Sequence, residues 1–132
     1  MDKIREFEEK VRNSGWYRLI GMKPKLGDKT IVELEVSEKH HQALGTAHGG
    51  VLASILDSAA GLAVNRELYG SGKIAVTAEM KVNYLKPVRN GKVVAEGEVV
   101  SWGSKIVVAT SKAYQNDELV AICTVTMYIV EV

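Results

Sequence analysis

The sequence predicts an α+β fold in which an antiparallel sheet wraps around one long central helix, and three observations carry that reading. Residues 43–65 hold a single formal charge, Asp57, among Val51, Leu52, Ile55, Leu56, Leu62, Ala63 and Val64. A helix apolar on nearly every side is a buried helix. From residue 74 onward apolar and polar residues alternate with a period of two, as half-buried strands require. Short turns join those strands, which favours antiparallel pairing, and a lone long helix among them has to cover one face of the sheet.

Ile4, Phe7 and Val11 recur at helical spacing among charges, so residues 1–12 read as a short amphipathic helix lying against the sheet and ending near residues 13–15. Residues 16–22 and 30–36 read as a first hairpin around a turn containing Pro24, Gly27 and Asp28, with Thr30, Val32, Leu34 and Val36 alternating against Ile31, Glu33 and Glu35. After the long helix, Ile74, Val76, Ala78, Met80, Val82 and Tyr84 alternate with Ala75, Thr77, Glu79, Lys81 and Asn83 in a clean period of two. Pro87 and Asn90-Gly91 end that strand. Strands at 92–102 and 105–114 meet at Gly103 and Ser104, and residues 115–118 turn the chain into a last strand at 119–130.

With 132 residues, 46% of them hydrophobic and 25% charged, one domain spanning 1–132 with one core is expected, since domains run to about 100–200 residues. A net charge of +1 supplies no field to attract nucleic acid or an anionic membrane. No apolar run approaches the roughly 18 residues of a membrane span, and residues 1–12 are too charged for a secretory signal. Cytoplasmic residence is the expectation. The single cysteine, Cys123, lies in an apolar stretch and reads as a buried structural residue.

The chemistry concentrates around the central helix. Burying an unpaired carboxylate is expensive, so Asp57 is either tied into a structural network or functional. The residues one or two turns away, Gly50, Ala53, Ser54, Ala60 and Gly61, are all small and leave a narrow slot beside it. Upstream, Gly45-Thr46-Ala47-His48-Gly49-Gly50 leads into the helix. The first amides of a helix lack internal acceptors and carry partial positive charge, and glycine lets a ligand carbonyl approach them closely. Such donors suit an oxyanion hole.

Taken together, His40, Gln42, Gly45, His48-Gly49-Gly50 and Asp57, then Thr77 in a strand and Tyr84-Leu85-Lys86-Pro87-Val88 at its end, resemble the phenylacetate-pathway (PaaI-like) branch of the hotdog-fold acyl-CoA thioesterases. The likeness runs from about residue 36 to the carboxyl end. It implies the hotdog fold and hydrolysis of an aryl- or medium-chain acyl-CoA to the free acid and CoA. By resemblance Asp57 is the nucleophile or general base, the Gly49 amide polarises the carbonyl, and the Thr77 hydroxyl helps to hold nucleophilic water. Gln42 stands where the family usually has asparagine, one methylene longer. His48 reads as a hydrogen-bonding strut of the turn, bordering the substrate with Gly50, rather than as a general base.

Lys86, Arg89 and Lys105 fall where the family approaches the CoA phosphates, and CoA is part of the substrate, so no separate cofactor is implied. His40, His41 and His48 lack the carboxylate or cysteine spacing of a metal site. The resemblance also implies a homodimer, joined by sheet edges that would otherwise stay uncovered, and a dimer of dimers as the homotetramer. Two other readings use the same fold: a non-catalytic acyl-CoA-binding or regulatory protein, and a hotdog enoyl-CoA hydratase or dehydratase. The second lacks the proline-rich histidine motif, since Pro24 and Pro87 are the only prolines. No nucleophile elbow, phosphate-binding loop or dinucleotide fingerprint is present.

Overall fold

In a computed structural model that describes residues 2–132, helices α1 (Lys3–Arg12) and α2 (Gly15–Ile20) precede strands β1 (Lys23–Leu26) and β2 (Thr30–Val36). A short 3-10 turn (Glu38–His40) and a loop lead to helix α3 (Gly49–Leu68). Strands β3 (Lys73–Tyr84), β4 (Gly91–Trp102), β5 (Ile106–Gln115) and β6 (Glu118–Glu131) follow. All six strands form one antiparallel sheet in the order β1-β2-β4-β5-β6-β3. This is the hotdog arrangement, with α3 packed along the inner face of β4, β5, β3 and β2.

Helix α1 forms where the spacing places it; Asp2 caps it by accepting a hydrogen bond from the Arg5 amide at 2.9 Å. Met1 lies outside the described residues. Of residues 16–22, expected as a strand, 16–20 instead lie in α2 and Gly21 caps it. Tyr17 and Ile20, three apart, both turn toward the core, while Trp16 and Leu19, each one residue before them, stay exposed. That is helical periodicity, which the aromatic and aliphatic composition of the segment concealed. Gly21, at φ 91°, ends the helix. The first strand is therefore β1, and it contains Pro24 rather than turning there. Proline is tolerated because β1 is an edge strand.

Strand β2 buries Thr30, Val32, Leu34 and Val36, the face its alternation predicts. Strand β3 departs from its clean alternation, because the register with β6 shifts between Thr77 and Glu79. A bulge of this kind exchanges the two faces of a strand. Before it Ala75 and Thr77 turn toward α3, after it Met80 and Val82 do, and Ile74 and Val76 remain exposed. The β5–β6 hairpin closes through Asn116 and Asp117, both at positive φ, as the tightest hairpins require.

The helix sits very close to the sheet. A Cβ on Gly97 of β4 would lie 2.0 Å from the Ala59 carbonyl oxygen of α3, and the surrounding inward residues Ala59, Ala60, Ala95 and Ala109 are fully buried. Buried Ser111 of β5 donates to the Leu56 carbonyl at 2.7 Å, tying the middle of α3 to the sheet. Gly97→Val is expected to destabilise the fold by about 3 kcal/mol or more, because backbone on the facing helix cannot rotate aside. Gly27→Ala, where the new methyl meets nothing within 4 Å, should stay within about 0.5 kcal/mol. Urea unfolding midpoints of the two variants test the contrast.

Candidate active site

The loop before α3 is built from backbone hydrogen bonds. The Ala47 amide donates to the Val88 carbonyl at 2.7 Å, and the His48 amide to the His40 carbonyl at 2.8 Å. His48 caps α3, its Nδ1 accepting from the Gly50 amide at 2.8 Å. Among the described residues the Gly49 amide meets no acceptor. The Tyr84 hydroxyl donates to the Gly49 carbonyl at 2.8 Å. Both glycines sit in tight surroundings: a Cβ on Gly49 would lie 3.3 Å from the Tyr84 ring and hydroxyl, and one on Gly50 3.0 Å from His48 Nδ1, so either substitution would push on a neighbouring side chain.

Gly49 opens into a cavity of about 360 Å³ that it shares with Gln42, Leu52, Tyr84 and Lys86. Gln42 is held within its own loop: its amide nitrogen donates to the Thr46 hydroxyl and its oxygen accepts from the Leu44 amide. The three histidines serve separate backbone tasks. His40 accepts from the Ser37 amide and bonds the Ile20 carbonyl, His41 meets Arg89 and Asn90, and His48 caps the helix.

Asp57 lies two turns further along α3, on its partly open face. Its Oδ1 accepts from the Thr77 hydroxyl at 2.7 Å, just ahead of the β3 bulge. Tyr17 of α2 stands beside it; burial pushes that phenol up to about 12, a hydrogen bond with Ser58 opposes the shift, and the Asp57 charge adds to it. Burial likewise pushes the Cys123 thiol up to about 11, with a Ser111 hydrogen bond opposing and Asp57 adding. At 1.5 Å per residue, the eight residues from Gly49 to Asp57 separate them by about 12 Å. The structure thus brings Gly49, Gly50, His48, Gln42 and Lys86 to one end of α3 and pairs Asp57 with Thr77 toward the other.

Lys86 is ion-paired with Glu118 at 2.8 Å, and among the described residues neither Arg89 nor Lys105 forms such a pair. Arg89 follows Val88, beside the Gly49 cavity, whereas Lys105 lies beyond the far end of twelve-residue β4. Tyr17 and the Tyr84 contact with Gly49 are absent from the sequence reading. The first was hidden by the strand assignment of its segment; no local signal carries the second, because 35 residues separate the partners.

The Thioesterase superfamily matches this chain over residues 44–122. Human acyl-coenzyme A thioesterase 13 is 31% identical over 107 residues, 80% of this chain and 71% of that protein. A Bacillus halodurans protein solved with CoA superposes with a TM-score of 0.85 at 26% identity, over 98% of this chain and 90% of that one. A mutant of the phenylacetic acid degradation protein PaaI from Thermus thermophilus does so with a TM-score of 0.77 at 29% identity, over 86% and 96%. These likenesses define a hotdog-fold thioester hydrolase. The chain belongs to the Thioesterase superfamily, with PaaI proteins among its structural neighbours. No helix among the described residues is long and apolar enough to cross a membrane.

Both raised pKa values have a testable consequence. The neutral forms of Tyr17 and Cys123 are favoured by folding, so their contributions are complete below the unfolded values of 10.0 and 9.0 and are lost as pH rises toward about 12 and about 11. Denaturant titrations should show stability falling between about pH 9 and 12, with Tyr17→Phe removing the upper part of the fall. The native Cys123 thiol should react with a disulfide reagent at least ~100-fold more slowly than in denaturant.

Proposed function

We propose that this protein hydrolyses an acyl-CoA thioester to the free acid and CoA, with Asp57 as nucleophile or general base and the Gly49 amide polarising the carbonyl. The observation that carries the reading is the division of labour at the start of α3. The Gly50 amide is occupied by His48 while the neighbouring Gly49 amide is unengaged and opens into a cavity. A donor fixed in this way costs no reorganisation when negative charge develops on the carbonyl oxygen.

In the general-base form, Asp57 takes a proton from water while the new hydroxide adds to the carbonyl carbon. The tetrahedral oxyanion sits against Gly49, and its collapse breaks the C–S bond, the thiolate leaving with a proton. In the nucleophilic form the carboxylate adds directly and water hydrolyses the resulting anhydride. Thr77, hydrogen-bonded to Asp57, holds the carboxylate or the water in line. Gln42 keeps the loop shaped around the thioester.

A thioester cannot touch two groups about 12 Å apart on one helix, so this reading draws Gly49 and Asp57 from two copies. Strand β3 is an unpaired sheet edge. A second copy paired antiparallel along it, about a two-fold axis near Met80 and Lys81, sets the Thr77 end of one chain beside the Tyr84 end of the other. The same reversal carries Lys105 of the second copy toward Lys86 and Arg89, where positive charge would meet the CoA phosphates. A dimer of dimers would then cover the exposed apolar residues Ile74, Val76, Ile106, Tyr128 and Val130, which lie in register on the outer sheet face.

The binding-protein reading has one observation in its favour, the closure of the Gln42 side chain within its own loop. Thiol release from a panel of acyl-CoA esters separates the two. Asp57→Asn, which keeps an acceptor for Thr77, is expected to lower turnover by about 10²- to 10⁴-fold with the fold intact. Undiminished turnover in that variant would remove Asp57 from the chemistry; intact thioesters with the natural protein would turn the assignment to binding alone.

A further inference from the structure

An apolar hollow lies beyond Asp57, between α1, the second half of α3 and the start of β3. It has a volume of about 510 Å³ and is lined chiefly by Phe7, Val11, Tyr17, Leu62, Tyr69 and Ile74. Packing faults in a protein interior are rarely larger than a water molecule, whereas sites for small organic ligands run to about 300–1,000 Å³. Phe7 and Tyr69, with ring centroids 4.8 Å apart, close its outer end.

Its position relative to the carboxylate is set by the helix. Leu62 and Asn65 stand five and eight residues past Asp57, about 8 and 12 Å along the axis on the side away from Gly49. The hollow continues to Tyr69, so its long dimension is about 10 Å. Tyr17 and Ala75 line the hollow; the Asp57 charge acts on the Tyr17 phenol, and Ala75 stands two residues before Thr77, which bonds Asp57, so the inner end lies on the carboxylate's side of the molecule.

Three of the polar side chains on its wall are already paired. Asn65 donates to the Ala75 carbonyl at 3.0 Å and accepts from the Ala75 amide at 2.8 Å. The Ser14 hydroxyl donates to the Val11 carbonyl at 2.6 Å. The Tyr69 hydroxyl donates to Glu6 Oε1 at 3.2 Å. Lys10 and Lys73 stand exposed at the rim. A hydroxyl or carboxyl carried into this wall would be desolvated without gaining a partner.

We infer that this groove is the acyl subsite of the chain that supplies Asp57, and that it takes an extended, unbranched alkyl chain. The inference rests on the thioesterase reading for the identity of the ligand. The thioester carbon sits at Asp57, CoA leaves toward the Gly49 end of the second copy, and the chain runs the opposite way under α1. An aromatic ring directly on the carbonyl would fill only the inner end, whereas an alkyl chain follows the length of the groove.

The test uses non-hydrolysable S-alkyl-CoA thioethers from ethyl to dodecyl, with the full-length protein and with Val11→Trp, whose indole occupies the groove. Affinity of the natural protein should rise about three- to fourfold per methylene until the groove is full and then level off. In Val11→Trp the levelling should come several methylenes earlier. Phe7→Ala, which opens the outer end, should move it to longer chains and serves where the tryptophan variant fails to unfold cooperatively. A response independent of chain length, or unmoved in whichever variants fold, overturns the inference. Hydrolysis of the matching thioesters is read separately. Thioether affinities that follow the groove variants while no thioester is cleaved leave the subsite standing and sink the hydrolase assignment; cleavage without chain-length dependence does the reverse.

Discussion

The backbone contact between α3 and β4 governs this structure. Helix and sheet approach until the Ala59 carbonyl fills the space where Gly97 would carry a side chain, with the small residues Ala59, Ala60, Ala95 and Ala109 buried around it. Interiors are packed to near crystal density, so spacing set at one point propagates through neighbouring side chains. The Ser111 bond to the Leu56 carbonyl holds the same stretch of helix in rotation as well as in depth. With α3 held there, Asp57 is directed toward β3, and the sheet curls around the helix until α1 and α2 close the remaining opening.

That placement makes α3 a ruler for the chemistry. Its amino terminus presents a glycine amide left open because His48 satisfies the next one, and its middle presents a carboxylate engaged by a strand hydroxyl. Lengths along the helix separate the two groups and set the groove beyond the second. Each separation is a multiple of the helical rise, which side-chain rearrangement does not change. The need for a second copy in the proposed mechanism follows from that rigidity.

Much of the fold was legible from local pattern. The alternation of 30–36, the amphipathic spacing of Ile4, Phe7 and Val11, and the lone charge in 43–65 each report a neighbour relation a few residues long. Where the reading failed, the controlling relation was distant. Residues 16–22 have strand-like composition, yet docking Tyr17 and Ile20 together against the core makes them helical. The alternation of 74–84 was real, but a bulge opposite β6 exchanged its faces midway. Thr77, just ahead of it, points at Asp57.

By itself the sequence determined the order of elements, the burial of the central helix, and the pairing of a glycine-rich entry with one carboxylate, because period and residue type act over one or two turns. Only the tertiary structure decided which face of β3 meets the helix, that Lys105 lies far from Lys86, and that a groove remains beneath α1. Those outcomes depend on contacts between residues remote along the chain. The approach of α3 to Gly97 is one such contact, and no local window of sequence contains both sides of it.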